Sequence, residues 1–417
     1  MVLVYEVLLY LVFALTLPFF LLTGLFRGKY LANFPERMGL YRTEARQHDL
    51  WIHAVSVGEA VAAGPVVREI LRQRPGTSIV FTTTTITGQA QARRLFPDAT
   101  IAYFPFDFSF AVKRFLDHHR PRVFATMETE IWPNVTRLCR RGGMKLILAN
   151  GRISDRSFPR YRAFRFIVGG ILKQYSKILA REETDRERFV AIGAAEAAVE
   201  TTGNVKFDVD APEGALAIAE RLESMLAGRK VIVLGSTAEG EDEEILPHLG
   251  KFLTEKNAFA ILAPRKAERF PIVAALLRST SIPFVRRTEI ETACSPVDLL
   301  LLDSFGELAK IYRYATVAFV GGSLVRTGGH NPIEAAAAGA PVCFGPFMSN
   351  FREIASVFLH NYAAEQVSSP AELLAFAGRM FDDATAQRGY AGRGLATVTR
   401  NRGAAARTAR EIVSLLA

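Results

Sequence analysis

Short apolar runs recur along this chain, separated by stretches in which apolar residues return at helical spacing. In the first half the runs are Trp51 to Val55, Ser78 to Phe81, Ile101 to Phe104, Val123 to Thr126, Leu146 to Ala149 and Ile178 to Ala180. Helical patterns such as Ala60 to Arg74 and Phe110 to His119 lie between them. The second half repeats the scheme with Val231 to Leu234, Ala258 to Leu262, Leu299 to Leu302, Val317 to Val320 and Val342 to Phe344. Continuous apolar runs alternating with helices predict parallel strands buried on both faces. The expected fold class is therefore α/β, with two Rossmann-like, doubly wound domains in tandem. A turn-rich segment, Gly203 to Gly214, reads as the linker. The predicted organisation is 28–205 for the first domain and 206–417 for the second. Ligands of such sheets sit at the carboxyl ends of strands, so substrates are expected in a cleft between the domains.

Residues 1–27 break this pattern. Val7 to Phe26 carries no charge, enough length to cross a bilayer as a helix. Arg27 and Lys29 follow at once, which places the rest of the protein on the cytoplasmic side. No basic region precedes the apolar run and no small-residue cleavage site follows it, unlike a secretory signal. This segment is expected to be a membrane anchor; a helix lying in the interface or docked on the body, helped by Pro18, is the alternative.

The net charge of +9 over 417 residues suits an anionic partner. Nucleic acid is not expected, because no nucleic-acid-binding module is recognisable and the basic residues are dispersed. Three scattered cysteines, Cys139, Cys294 and Cys343, have neither disulfide nor zinc spacing.

Candidate chemistry gathers at predicted strand ends. The Trp51 strand runs into a turn holding Ser56, Gly58 and Glu59; the Val123 strand leads to Glu128 and Glu130; the Leu146 strand ends at Asn150 before Gly151. A carboxylate on this rim can take a proton from a substrate hydroxyl. Each has a plain alternative, Glu59 as a helix-start acid and Glu128 as an ion-pair partner. Trp132 and Pro133 read as a packing residue and a helix-opening proline.

In the second half the rim gathers Ser236, Pro264 with Arg265, Phe305 with Gly306 and Glu307, and the loop from Gly321 through Gly329 and His330 to Asn331, Pro332, Ile333 and Glu334. Free N–H groups of that glycine loop and of a helix opening at Asn331 suit an anion. Arg265 can take a phosphate by forked hydrogen bonds, and Phe305 can cover a base or sugar face. The run Glu239 to Glu244 reads as the polar first turn of a helix. His330 reads as a loop hydrogen-bonding residue, since it lacks companions at metal spacing.

Taken together, His53–Glu59 (HAVSVGE), Met127–Asn134 (METEIWPN), Gly203–Asp208 (GNVKFD), Ala263–Phe270 (APRKAERF), Gly306–Leu308 (GEL) and Phe319–Val342 resemble the 3-deoxy-D-manno-octulosonic acid (Kdo) transferases of lipopolysaccharide assembly. The resemblance implies a GT-B fold, a hydrophobic N-terminal membrane attachment, CMP-Kdo as donor and a lipid A precursor as acceptor. By motif, Glu59 matches the general base, Glu128 and Lys206 the pair that stabilises the transition state, and Pro264, Arg265, Phe305 to Glu307 and Asn331 to Glu334 the segments that hold CMP. Such an arrangement suits a single, inverting displacement, and with no acidic cluster of the D-x-D kind at a strand end neither a metal nor a cofactor is expected. One departure stands beside the resemblance: Gly151 follows Asn150 where the family has alanine, which bears on acceptor details. Two other readings fit the fold, a GT-B transferase using a UDP-sugar on a membrane lipid and a membrane-anchored nucleotide-sugar binder without catalysis.

Overall fold

Both sheets form as the apolar runs require. The computed structural model describes residues 2–27, 33–208, 216–292 and 296–416. The first sheet comprises β1 (Leu50–His53), β2 (Ile79–Thr83), β3 (Thr100–Tyr103), β4 (Val123–Met127), β5 (Lys145–Gly151), β6 (Lys177–Ala180) and β7 (Val199–Thr201). The second comprises β8 (Lys230–Thr237), β9 (Ala258–Pro264), β10 (Phe284–Arg286), β11 (Leu299–Leu301), β12 (Val317–Val320), β13 (Val342–Phe344) and β14 (Ala364–Gln366). Their orders are β3-β2-β1-β4-β5-β6-β7 and β10-β11-β9-β8-β12-β13-β14, and the paired strands are parallel. Every residue of β1, β2 and β4 is buried, as expected for strands covered by helices on both faces. Three strands escaped the sequence pattern, namely β7, β10 and β14. Each forms a sheet edge and mixes apolar with charged or polar residues within three positions, so none is a continuous apolar run.

Strand order reverses between β1 and β4 in the first sheet and between β8 and β12 in the second. At such a point the connections depart in opposite directions and open a crevice at the carboxyl ends. The first strand of each pair leads into a helix, Val57–Gln73 after β1 and Glu241–Lys256 after β8.

The chain divides into two compact units, Met1–Asp208 with Asn401–Ala417, and Val209–Arg400. The C-terminal seventeen residues thus leave the second domain expected over 206–417 and join the first. Their helix, Ala404–Leu416, carries Ala405, Ala409, Ile412 and Leu416 on one stripe, and these are buried with Val66, Val67 and Ile70 of the helix Val57–Gln73. Asp208 fixes the start of this helix, its carboxylate accepting hydrogen bonds from Gly403 N (2.6 Å) and Ala405 N (2.7 Å). Of the expected linker, residues 209–214 lie outside the described residues; Val205–Phe207 before them forms a 3-10 turn of the first unit. Cys294 also lies outside them.

An N-terminal helix spans Val2–Arg27. Its Tyr5 hydroxyl donates to Asp107 Oδ2 (2.7 Å), and Tyr10 and Phe13 meet the Phe108 ring at centroid distances of 4.9 and 5.1 Å. Val4, Val7, Leu8, Leu11, Val12 and Leu15 stay exposed. Among the described residues no helix is long and apolar enough to cross a membrane; the side chains of residues 17–26, half of the expected span, lie outside them.

Gly151 closes β5 against the core. A Cβ there would stand 2.7 Å from Leu148 Cδ2 and 2.9 Å from Phe189 Cε2, so the missing methyl answers to packing, a cause the sequence did not reveal. Because the C-terminal helix completes the first core, Ile412→Ala should destabilise that unit by about 2–5 kcal/mol, the usual loss for a buried isoleucine. Urea denaturation followed by Trp fluorescence reads it, both tryptophans, Trp51 and Trp132, lying in this unit.

Candidate active site

In the first unit the strand reversal brings three candidate residues into one electrostatic cluster. Ser56 stands just before the helix Val57–Gln73, which places Glu59 in its first turn. The Glu59 carboxylate folds back, accepting from Val55 N (2.8 Å) and from Ser56 Oγ (3.3 Å). Burial pushes this carboxyl up to about 7; the Val55 bond opposes the rise, and the charges of Glu128 and Glu130 add to it. Gly58 stands exposed beside it, with open space where a side chain would be.

Glu128 follows β4 directly and is set against two cations. Its carboxylate pairs with Lys206 Nζ (3.2 Å) and with the guanidinium of Arg181, which is itself buried. Burial pushes Glu128 up, but the charges of Arg181 and Lys206 outweigh it and hold the carboxyl below its ordinary value. Two neighbouring carboxyls are thereby driven in opposite directions.

Arg181 was not recognised as a site residue in the sequence, and Asn150 was singled out there only as a polar strand end. Asn150, fully buried, accepts from Val205 N through Oδ1 (3.2 Å) and from Arg181 Nε through its carbonyl (3.1 Å). It thus positions the carriers of both cations that face Glu128. Glu128 and Asn150 have φ of +59° and +56°, a left-handed conformation that costs a non-glycine residue about 1–3 kcal/mol and is concentrated at functional sites. Trp132 packs on Phe104 and Pro133 opens the helix Pro133–Arg141, as expected.

In the second unit the glycine loop does hold an anion, but one of the protein's own. The N–H groups of Gly322 (2.6 Å), Ser323 (2.8 Å) and Leu324 (2.8 Å), with that of Ala238 (2.9 Å), donate to the carboxylate of Glu241, which is fully buried. This corrects two expectations. Those three loop amides are not open to a ligand, and the acidic run Glu239 to Glu244 is more than a solvated first turn. Asp242 is likewise buried and paired with Arg269 at 2.9 Å. The helix expected from Asn331 is only Ile333–Ala337, and Asn331 Oδ1 takes the N–H of Ile333 (3.1 Å), with Pro332 buried between them. Close approach explains the glycines: a Cβ on Gly321 would stand 2.7 Å from Ser236 O, and one on Gly329 2.2 Å from Met348 Sδ.

The remaining donor-site candidates lie around this loop. Arg265, after Pro264 at the end of β9, bonds Thr237 O through its N–H (3.0 Å), and its side chain is exposed. Its charge reaches His330 and Glu334: burial holds His330 down at about 4 and Arg265 adds to that, whereas burial raises Glu334 against the pull of Arg265. Phe305 is 59% exposed, its ring 5.4 Å from that of Phe270. After Gly306, Glu307 is gripped by both faces of the Arg287 fork (2.9 and 3.0 Å), a partner the sequence did not reveal. Lys206 lies with Glu128 in the first unit, so it is not a neighbour of Arg265 within one unit. Among the described residues no group of three or more His, Cys, Asp or Glu is placed to hold a metal ion.

Residues 32–209 match the family described as 3-Deoxy-D-manno-octulosonic-acid transferase (kdotransferase). The 3-deoxy-D-manno-octulosonic acid transferase of Haemophilus influenzae is 34% identical, over 83% of this chain and 82% of that protein. That of Bordetella pertussis is 37% identical over 73% of each. UDP-GlcNAc 2-epimerase from Neisseria meningitidis, solved with UDP-GlcNAc bound, shares the two-sheet fold with a TM-score of 0.55 at 12% identity, covering 89% of this chain and 99% of that one.

Glu241 holds the loop by charge-assisted bonds, so Glu241→Gln, which turns an amide hydrogen toward backbone N–H groups, should cost roughly 3 kcal/mol. Hydrogen exchange at Gly322, Ser323 and Leu324 should accelerate with it, as amide exchange by mass spectrometry would reveal.

Proposed function

The chain belongs to the 3-deoxy-D-manno-octulosonic acid (Kdo) transferase family of glycosyltransferases, and from that premise we propose that it moves Kdo from CMP-Kdo to a hydroxyl of a lipid A precursor. The observation that carries the mechanism is the divergence of two carboxyls. Glu59 is raised to about 7, and Glu128 is held ionised by Arg181 and Lys206. A pair driven apart in this way marks separate acid–base roles. Glu59 is the general base: as the acceptor oxygen bonds to the anomeric carbon, its proton passes to the Glu59 carboxylate. The bond from that carbon to the phosphate oxygen breaks, and CMP leaves with the electron pair. Lys206, fixed by Glu128, stabilises the charge that develops, and a single displacement inverts the anomeric centre.

Arg265 supplies an exposed cation for the CMP phosphate, Phe305 an exposed ring for the base, and Glu307, Asn331 and Glu334 the acceptors for ribose hydroxyls. Arg265 and Lys206 carry the positive charge that other transferases draw from a metal, so neither a metal nor a cofactor is assigned. The apolar residues left exposed on the helix Val2–Arg27 support attachment to the cytoplasmic face of a bacterial inner membrane, where a lipid acceptor resides.

Incubation with CMP-Kdo and a lipid A precursor in excess EDTA should yield acceptor heavier by Kdo residues in the mass spectrum. Product formed only with a UDP-sugar, or only after Mg²⁺ is restored, would overturn the donor or the metal-free reading respectively.

Since the base works only when ionised, kcat/KM should climb as pH rises through about 7 and level off above it. Glu59→Gln should lower turnover roughly a hundredfold or more and abolish this limb. A variant of near-normal rate would remove Glu59 from the role.

A further inference from the structure

A cavity of about 890 Å³ opens on the second unit at the carboxyl ends of β13 and β14. Its volume is that of a small-ligand site, and strand ends are where ligands of such sheets bind. One wall is the glycine loop at Arg326 and Gly328; the other is the segment after β13 and the helix Arg352–His360. Hydrogen bonds join the walls: Phe347 N donates to Ser323 O (2.9 Å), Gly345 N to the side-chain Ser323 Oγ (2.8 Å) and Asn350 N to Gly328 O (2.9 Å). Ser323 is in turn held by Glu241, so the cavity stands formed before any ligand arrives.

Its lining has a definite chemistry. Arg326, Arg352 and His360 line it, and among the described residues no acidic one does. The Arg326 guanidinium lies over the Phe347 ring, 5.4 Å from its centroid, which orients the cation without neutralising it. On the rim, Tyr362 follows the helix Arg352–His360 at φ +49°, the left-handed position where helices ordinarily place glycine. Its N–H bonds Leu359 O (3.0 Å), its carbonyl accepts from Arg393 Nε (2.6 Å), and its side chain is 76% exposed. An exposed aromatic ring kept in a strained backbone points to use of that ring. Arginines beside an aromatic face match a sugar that bears a carboxylate.

We propose that this cavity is the subsite for the acidic sugar of the donor, with the carboxylate on Arg326 and Arg352 and the sugar ring against Tyr362. The assignment rests on the donor reading above and adds to it a place for the sugar apart from the residues assigned to the nucleotide.

The test compares three constants in the full-length protein: the Kd of CMP by calorimetry, the KM of CMP-Kdo and the KM of the acceptor. In the double variant Arg326→Ala, Arg352→Ala the KM of CMP-Kdo should rise at least tenfold, with CMP Kd and acceptor KM within twofold of the parent. An unchanged KM for CMP-Kdo overturns the proposal. So does a parallel loss of CMP affinity, which would make the cavity part of the nucleotide site, or a rise confined to the acceptor, which would make it an acceptor site. Failure of the parent protein to bind CMP would instead refute the underlying donor reading. Tyr362→Gly provides a second measure that does not depend on the double variant folding. It relieves the backbone while removing the ring, so thermal stability should hold or rise while the KM of CMP-Kdo increases several-fold. An increase accompanied by lost stability would mean that Tyr362 is only structural, and no increase would remove it from the subsite.

Discussion

One buried carboxylate organises the second unit. Glu241 gathers N–H groups from the turn after β8 and from the glycine loop after β12, two segments far apart in the chain. Taking an ion out of water is costly, and it persists in a core only when charge-assisted bonds replace its hydration. Four backbone donors do so here, and none is a side chain that could swing away. From Ser323 the restraint passes to Gly345 and Phe347 after β13, so the ends of three adjacent strands hold one arrangement. The closeness of that packing is visible at Gly345, where a Cβ would stand 2.1 Å from Ser323 O.

The first unit places a carboxylate at the equivalent point of its own sheet and uses it differently. Glu59 and Glu241 both lie in the first turn of the helix after the strand where the order reverses, and both fold back onto the N–H of the preceding turn. Glu241 is sealed by the loop after the next strand. Glu59 is met instead by Glu128 and Glu130, two further carboxyls that donate nothing and add repulsion. It remains half-buried and poised near neutrality, suited to proton transfer, whereas Glu241 is committed to structure.

Support for Glu128 comes from its neighbours along the sheet edge. Asn150 bonds the segments bearing Arg181 and Lys206, and their charges hold the Glu128 carboxyl below its ordinary value against the upward push of burial. The left-handed backbones of Glu128 and Asn150 are tolerated because the flanking strands, the Glu128 N–H to Ala149 O bond (2.8 Å) and the ion pairs restrain them together.

The interior strands of both sheets were legible because each is a continuous apolar run, and a strand covered on both faces must be one. Glu59, Glu128 and Arg265 were legible as candidates because they directly follow such strands, and parallel topology directs strand ends to one rim. The edge strands β7, β10 and β14 were beyond reach, since each mixes apolar with charged or polar residues within three positions. Tertiary structure alone decided the rest. The helix Ala404–Leu416 carries an apolar stripe, and only folding chose the first core to cover it. An acidic run looked alike at Glu239, Glu241 and Glu244, and only the approach of a loop some eighty residues away turned the middle carboxylate inward. Local sequence states which groups can bond or ionise; which of them lose their water depends on what the fold brings against them.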